Sequence, residues 1–149
     1  MSTQVPSIQV LQQPQDPEVS VAARWLGRIV SGLAILFLLF DGALKLVPLG
    51  VVTEAMDRIG YGSSETLARS LGAITVVCTL LYAVPPTSFV GAILLTGYLG
   101  GAIASHVRVA DPLFTHVLFG VYLGLMVWGG LWLRDPRVRQ LLPFKTSPK

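Results

Sequence analysis

The chain has 149 residues, of which 52% are hydrophobic and only 13% charged, against about 25% charged in an ordinary soluble domain. Its mean hydropathy is +0.66 and its pI about 9.4. The net charge of +3 is made by basic residues that flank apolar segments, so it sets membrane orientation and gives no stripe for nucleic acid. One cysteine, Cys78, excludes an internal disulfide and a dithiol redox pair.

Residues 1–23 are polar, rich in Gln and Pro, and contain no Lys or Arg. They are expected to form a disordered tail. The first apolar run starts too late for a simple cleaved signal and is read as an uncleaved span. It is predicted as a helix from about Leu26 to Val47, stopped by Pro48. Leu49 to Gly62 comes next, with Val51, Val52, Ala55, Met56 and Ile59 at near-helical spacing and Glu54, Asp57 and Arg58 between them. That pattern predicts a short amphipathic helix lying at the interface, ended by Gly60-Tyr61-Gly62.

A second span is expected over Ser64 to Val84, with Ser63 or Ser64 as its cap and Pro85-Pro86 as its stop. A third covers Ser88 to Ser105, a loop runs from Val107 to Pro112, and a fourth span covers Leu113 to Leu133. A crossing takes roughly 20 mostly apolar residues, each of which must satisfy its own backbone in lipid. The expected fold is therefore all-α. It is a four-helix transmembrane bundle over 24–135, with the interfacial helix between spans one and two and a basic tail over 136–149.

Four spans put both termini on one side. That side holds Arg24, Arg28, Arg134, Arg137, Arg139, Lys145 and Lys149, leaving Lys45, Arg58, Arg69 and Arg108 for the other. Positive charge favours the cytoplasm. The expectation is a multi-pass protein of the bacterial inner cell membrane with both termini and both tails cytoplasmic.

Gly97-x-x-x-Gly101 and Gly120-x-x-x-Gly124 place small residues four apart on spans three and four. They read first as close helix packing within the bundle. A homodimer face or a cofactor groove is the alternative. Trp128 and Trp132 read as an aromatic belt, and Cys78 as a small packing residue.

The ionisable residues gather at the non-cytoplasmic end: Asp41 and Lys45, Glu65 and Arg69, His106, Arg108 and His116. Asp41 and Lys45 are four apart and share a helix face. Such groups at membrane depth turn inward to partners or water, so they either form a structural ion pair or floor a polar pocket. His106 and His116 flank one loop and can meet across antiparallel helices. They are candidates for hydrogen bonds to a ligand head group, for a proton relay, or for holding a cofactor; haem between them is the weaker option. Arg108 is an anchor for an anionic or carbonyl oxygen, or for lipid phosphate. Tyr61, Tyr98 and Tyr122 read as interfacial or packing aromatics. Tyr98 joins the ligand set of Asp41, Lys45, His106, Arg108 and His116. No phosphate loop, nucleophile elbow or standard metal-ligand spacing occurs, so no metal is expected and no catalytic residue is assigned.

Several stretches resemble the DoxX-like family of small four-helix membrane proteins. They are Phe40 to Leu46, Arg58-Ile59-Gly60-Tyr61, the run from Thr96 to Arg108 that ends His-Val-Arg, and Trp132 to Asp135. The resemblance covers about residues 22–143 and implies the same four-helix fold. The wider family resembles subunits of a thiosulfate–quinone oxidoreductase, and other relatives look linked to membrane thiol or oxidative-stress complexes. The resemblance thus implies an accessory or ligand-binding subunit with an outer polar pocket, quinone as candidate cofactor, and a membrane redox protein and lipid as partners. A quinone-linked oxidoreductase subunit and an assembly factor are the alternatives, so catalysis itself is left open.

Overall fold

The structure, a computed structural model, describes residues 20–47 and 49–141. Of the expected N-terminal tail it describes only Ser20 to Ala23, and of the C-terminal tail only residues 136–141. Among the described residues six α-helices occur in order: α1 Val21–Leu46, α2 Gly50–Arg58, α3 Glu65–Ala83, α4 Ser88–Arg108, α5 Leu118–Arg134 and α6 Pro136–Leu141. A 3₁₀ turn, Pro85–Thr87, links α3 to α4, and a π-helical turn, Leu113–Val117, precedes α5.

Among the described residues, four helical segments are long and apolar enough to cross a membrane: Val21–Leu46, Glu65–Ala83, Pro85–Arg108 and Leu113–Arg134. The chain is thus a multi-pass membrane protein, with α2 lying between its first two spans. The expected spans are all present, with boundaries that shift for identifiable reasons. Helix α1 starts at Val21, five residues before Leu26, because the Ser20 hydroxyl accepts a hydrogen bond from the Ala23 amide and caps it. Helix α4 runs three residues past Ser105 and so carries His106 and Arg108. Ser64 caps α3 by accepting from the Leu67 amide at 3.3 Å.

Helix α1 packs on α3 and α5, and α4 packs on the same two, so α1 and α4 stand diagonally across the bundle. The buried core is Ala34, Leu38, Tyr82, Ala92, Leu95, Val127 and Leu131. Large apolar side chains face outward, among them Leu36, Phe40 and Leu125. In water that surface would aggregate; in lipid it costs nothing.

The glycines that bring helices together differ from the expected pair on α4. A Cβ on Gly91 would fall on the backbone of Tyr82, and one on Gly72 would sit 2.8 Å from the Gly42 carbonyl oxygen. Gly120 approaches Ile103 of α4. By contrast, a Cβ on Gly97, Gly101 or Gly124 would meet nothing within 4 Å. The Gly97–Gly101 pair therefore does not pack this bundle. Spacing of small residues identifies a thin helix face, and it does not say whether a neighbour fills it.

At the end away from α2, Tyr82 is fully buried and ties three helices together. Its hydroxyl donates to the Val127 carbonyl at 2.8 Å and accepts from Ser31 Oγ at 2.9 Å. The Arg134 guanidinium lies over its ring and donates to its carbonyl at 3.1 Å. Trp128, expected in an interfacial belt, is partly buried against α4 and donates from Nε1 to Thr96 Oγ1 at 2.9 Å. A partly buried indole N–H must find an acceptor, and the Thr96 hydroxyl on α4 supplies it. Trp132 stays exposed, with Arg139 over its ring.

Candidate functional site

A cavity of about 510 Å³ lies at the α2 end, between the diagonal helices α1 and α4. Helix α1 contributes Asp41 and Lys45, and α4 contributes Gly97, Tyr98, Gly101, Ser105 and His106. Leu71 of α3 and the inner face of α2, including Met56 and Ile59, complete the wall. Small residues on α4 are what leave this space open, since an ordinary side chain at Gly97 or Gly101 would occupy it.

One polar end of the cavity is a connected network. Lys45 pairs with Asp41 one turn earlier and donates to Tyr98 Oη at 3.1 Å, with its ammonium near the Tyr98 ring. Both members of the ion pair are half-buried. The pairing offsets the cost of holding two charges at this depth. Because Tyr98 accepts from Lys45, its own hydroxyl proton remains available to a further acceptor.

Two helix caps of one kind deliver the rest of the site. At the end of α2, Gly60 takes φ +80°, Gly60 N–H bonds Asp57 O, and Tyr61 N–H bonds Met56 O. This is a Schellman cap, whose left-handed position suits glycine. A Cβ there would also sit 2.9 Å from the Arg108 guanidinium. The cap brings Tyr61 Oη to within 2.6 Å of Ser105 Oγ. At the end of α4 the same pattern recurs. Ala110 N–H bonds Val107 O, and Asp111 N–H bonds His106 O. Here the left-handed position is Ala110, with φ 56°. Asp111 is thereby folded back so that its Oδ2 lies 2.6 Å from His106 Nδ1. That hydrogen bond, followed by the nearby charge of Arg58, holds the Asp111 carboxyl below its usual value.

Of the six expected ligand residues, Asp41, Lys45, Tyr98 and His106 meet at the cavity. Arg108 and His116 are not among its lining residues. The Arg108 guanidinium donates to the Ile59 carbonyl at 2.5 Å and lies over the Tyr61 ring, so it ties α2 to α4. His116 stands behind His106, with ring centroids 5.6 Å apart, and shares a hydrogen bond with Thr115 Oγ1. Glu65 and Arg69 pair with each other on the exposed face of α3. No group of three or more His, Cys, Asp or Glu able to hold a metal occurs among the described residues. Sequence reasoning missed Tyr61, Ser105 and Asp111 as site residues. Tyr61 had a signal in the Gly60 turn beside it; Asp111 gave none, because its approach depends on a left-handed alanine.

No curated protein and no solved structure matches the chain significantly. The model of one family matches residues 29–130, which include every residue that lines the cavity. The chain belongs to the DoxX-like family.

Proposed function

We propose that this DoxX-like protein is a ligand-binding membrane subunit whose cavity holds a small neutral amphipathic molecule, such as a quinone, on behalf of a redox partner in the membrane. The observation that carries this reading is the cavity itself. Apolar walls lead to a compact donor network of Lys45 and Tyr98. Sites for small molecules have this composition: mostly apolar, with a few convergent polar groups. A ring oxygen would accept from Tyr98, and an apolar tail would leave past Gly97 and Gly101 toward lipid. The count of basic residues supports cytoplasmic termini and a cavity at the opposite, outer end.

The test is extraction of the protein from native membranes in mild detergent, then mass spectrometry of the lipophilic molecules released. A near-stoichiometric quinone or similar amphiphile is expected in the wild type and is expected to fall in Tyr98→Phe and Lys45→Gln. A wild-type preparation that holds no such molecule and binds no added short-chain quinone would overturn the reading.

A further inference from the structure

The two polar ends of the cavity have opposite hydrogen-bonding character. At one end Tyr98, having accepted from Lys45, is a donor. At the other, His106 Nδ1 faces the Asp111 carboxylate at 2.6 Å. An ionised carboxylate only accepts, so Nδ1 carries a proton, and with the imidazole neutral Nε2 is left with a lone pair. No hydrogen-bond partner of Nε2 exists among the described residues. No buried side-chain nitrogen or oxygen among them lacks a partner either, so Nε2 is accessible on a ring that lines the cavity.

The dyad is held by a turn that an alanine adopts only under strain. The left-handed conformation presses the Cβ of an L-residue against the following carbonyl oxygen, and Ala110 adopts it at φ 56° where a glycine would relieve it. Strain of this kind persists where the surroundings over-determine it, commonly at ligand sites. Here its consequence is to set Asp111 against His106.

We propose that His106, oriented by Asp111, is the hydrogen-bond acceptor that selects a ligand head group with a free hydroxyl over the matching ether or carbonyl form. The ligand class is a phenol or related alcohol; for a quinone-type ligand it is the reduced, quinol form. His106 accepts the ligand O–H at Nε2, while Tyr98 donates to the head group's other oxygen. Asp111 acts as a positioning residue through the imidazole tautomer. The inference rests on the ligand-binding reading of the cavity.

A redox-silent probe pair separates the two claims: 1-naphthol and 1-methoxynaphthalene, the second carrying a methyl in place of the hydroxyl hydrogen. Binding to the full chain in phosphatidylcholine nanodiscs is measured by equilibrium dialysis, with empty discs subtracted. One neutral hydrogen bond predicts a preference for the naphthol of about three- to tenfold. His106→Phe is expected to bring that ratio to one with affinity for the ether retained. Asp111→Asn keeps the ring and is the second variant. Its amide can donate to Nδ1 and move the proton to Nε2, which lowers the ratio. Equal binding of the two probes by the wild type, abolished by the cavity-filling variant Gly101→Leu, would overturn the role of His106 and leave the cavity reading standing. Absence of any Gly101→Leu-sensitive binding by either probe would overturn both.

Discussion

Filling the cavity from Gly101 tests site and fold together. Gly101 lies within α4, lines the cavity, and has nothing within 4 Å of where a Cβ would stand. Gly101→Leu therefore adds a whole isobutyl group into open space of about 510 Å³ and leaves helix packing untouched. Replacing an interior helical glycine with a good helix former gains about 0.5–1 kcal/mol. A ligand seated in the same space meets an overpacked wall. The cost is about 1–3 kcal/mol, or roughly fivefold to 150-fold in Kd. The expected result is an unchanged or raised melting temperature in detergent, with weakened binding of a short-chain quinone in nanodiscs. Gly124→Leu is the matched control. Its Cβ also meets nothing within 4 Å, but it lies on α5 away from the cavity. It should leave binding as it is. Wild-type affinity in Gly101→Leu, or equal loss in both variants, would refute the assignment of the site.

The geometry sets four further outcomes. Gly91→Ala sets a methyl group against the Tyr82 backbone, which cannot swing aside. It should cost about 1–3 kcal/mol in detergent unfolding, while Gly97→Ala costs nothing. Tyr82→Phe removes the second donor of the Val127 carbonyl and the partner of Ser31. A loss of about 1–3 kcal/mol in stability is expected with ligand affinity preserved, since the two sites are at opposite ends of the bundle. Asp111 should titrate below its ordinary value of 3.8 in carbon-13 NMR, and His106→Phe should move its midpoint back up. Because its folded-state value is the lower one, its stabilising contribution is complete above pH 3.8 and is lost as pH falls through the depressed value. A C-terminal reporter fusion should be active as a cytoplasmic reporter and silent as a periplasmic one; the reverse would invert the topology.

The four spans were legible because lipid leaves so few solutions: a run of about 20 apolar residues has to be a helix. The pairing of Asp41 with Lys45 was also legible, since i and i+4 fix it locally. What sequence could not supply was which surfaces face each other across the bundle. Gly97 and Gly101 have the spacing of a packing face, yet the diagonal placement of α1 and α4 leaves that face empty. Arg108 has the chemistry of a ligand anchor, but the Gly60 turn presents the Ile59 carbonyl to it first. Residue type predicted the donor in that case, and tertiary placement decided the acceptor. Asp111 shows the opposite failure, because nothing local marks a residue whose position depends on a strained neighbour.

Three of the stretches that carry the family resemblance converge on one place. Lys45 from the first meets Tyr98 from the third, and Ile59 and Tyr61 from the second meet Arg108 and Ser105 from the third. Their charges also constrain what the cavity can hold. Lys45 is neutralised by Asp41. Arg58, the other cation on the wall, stands near enough to Asp111 to lower the pKa of its carboxyl. Each positive group on the cavity wall thus has a negative one close by, and Arg108, off the wall, is held by the Ile59 carbonyl and the Tyr61 ring. A doubly charged anion such as thiosulfate would enter a largely apolar space without a free cation to meet it, and desolvation of an unpaired ion is severe. A neutral head group loses only its hydrogen bonds to water, which the proposed contacts with Tyr98 and His106 would return. The electrostatics therefore support the proposal of a neutral ligand over an anionic one.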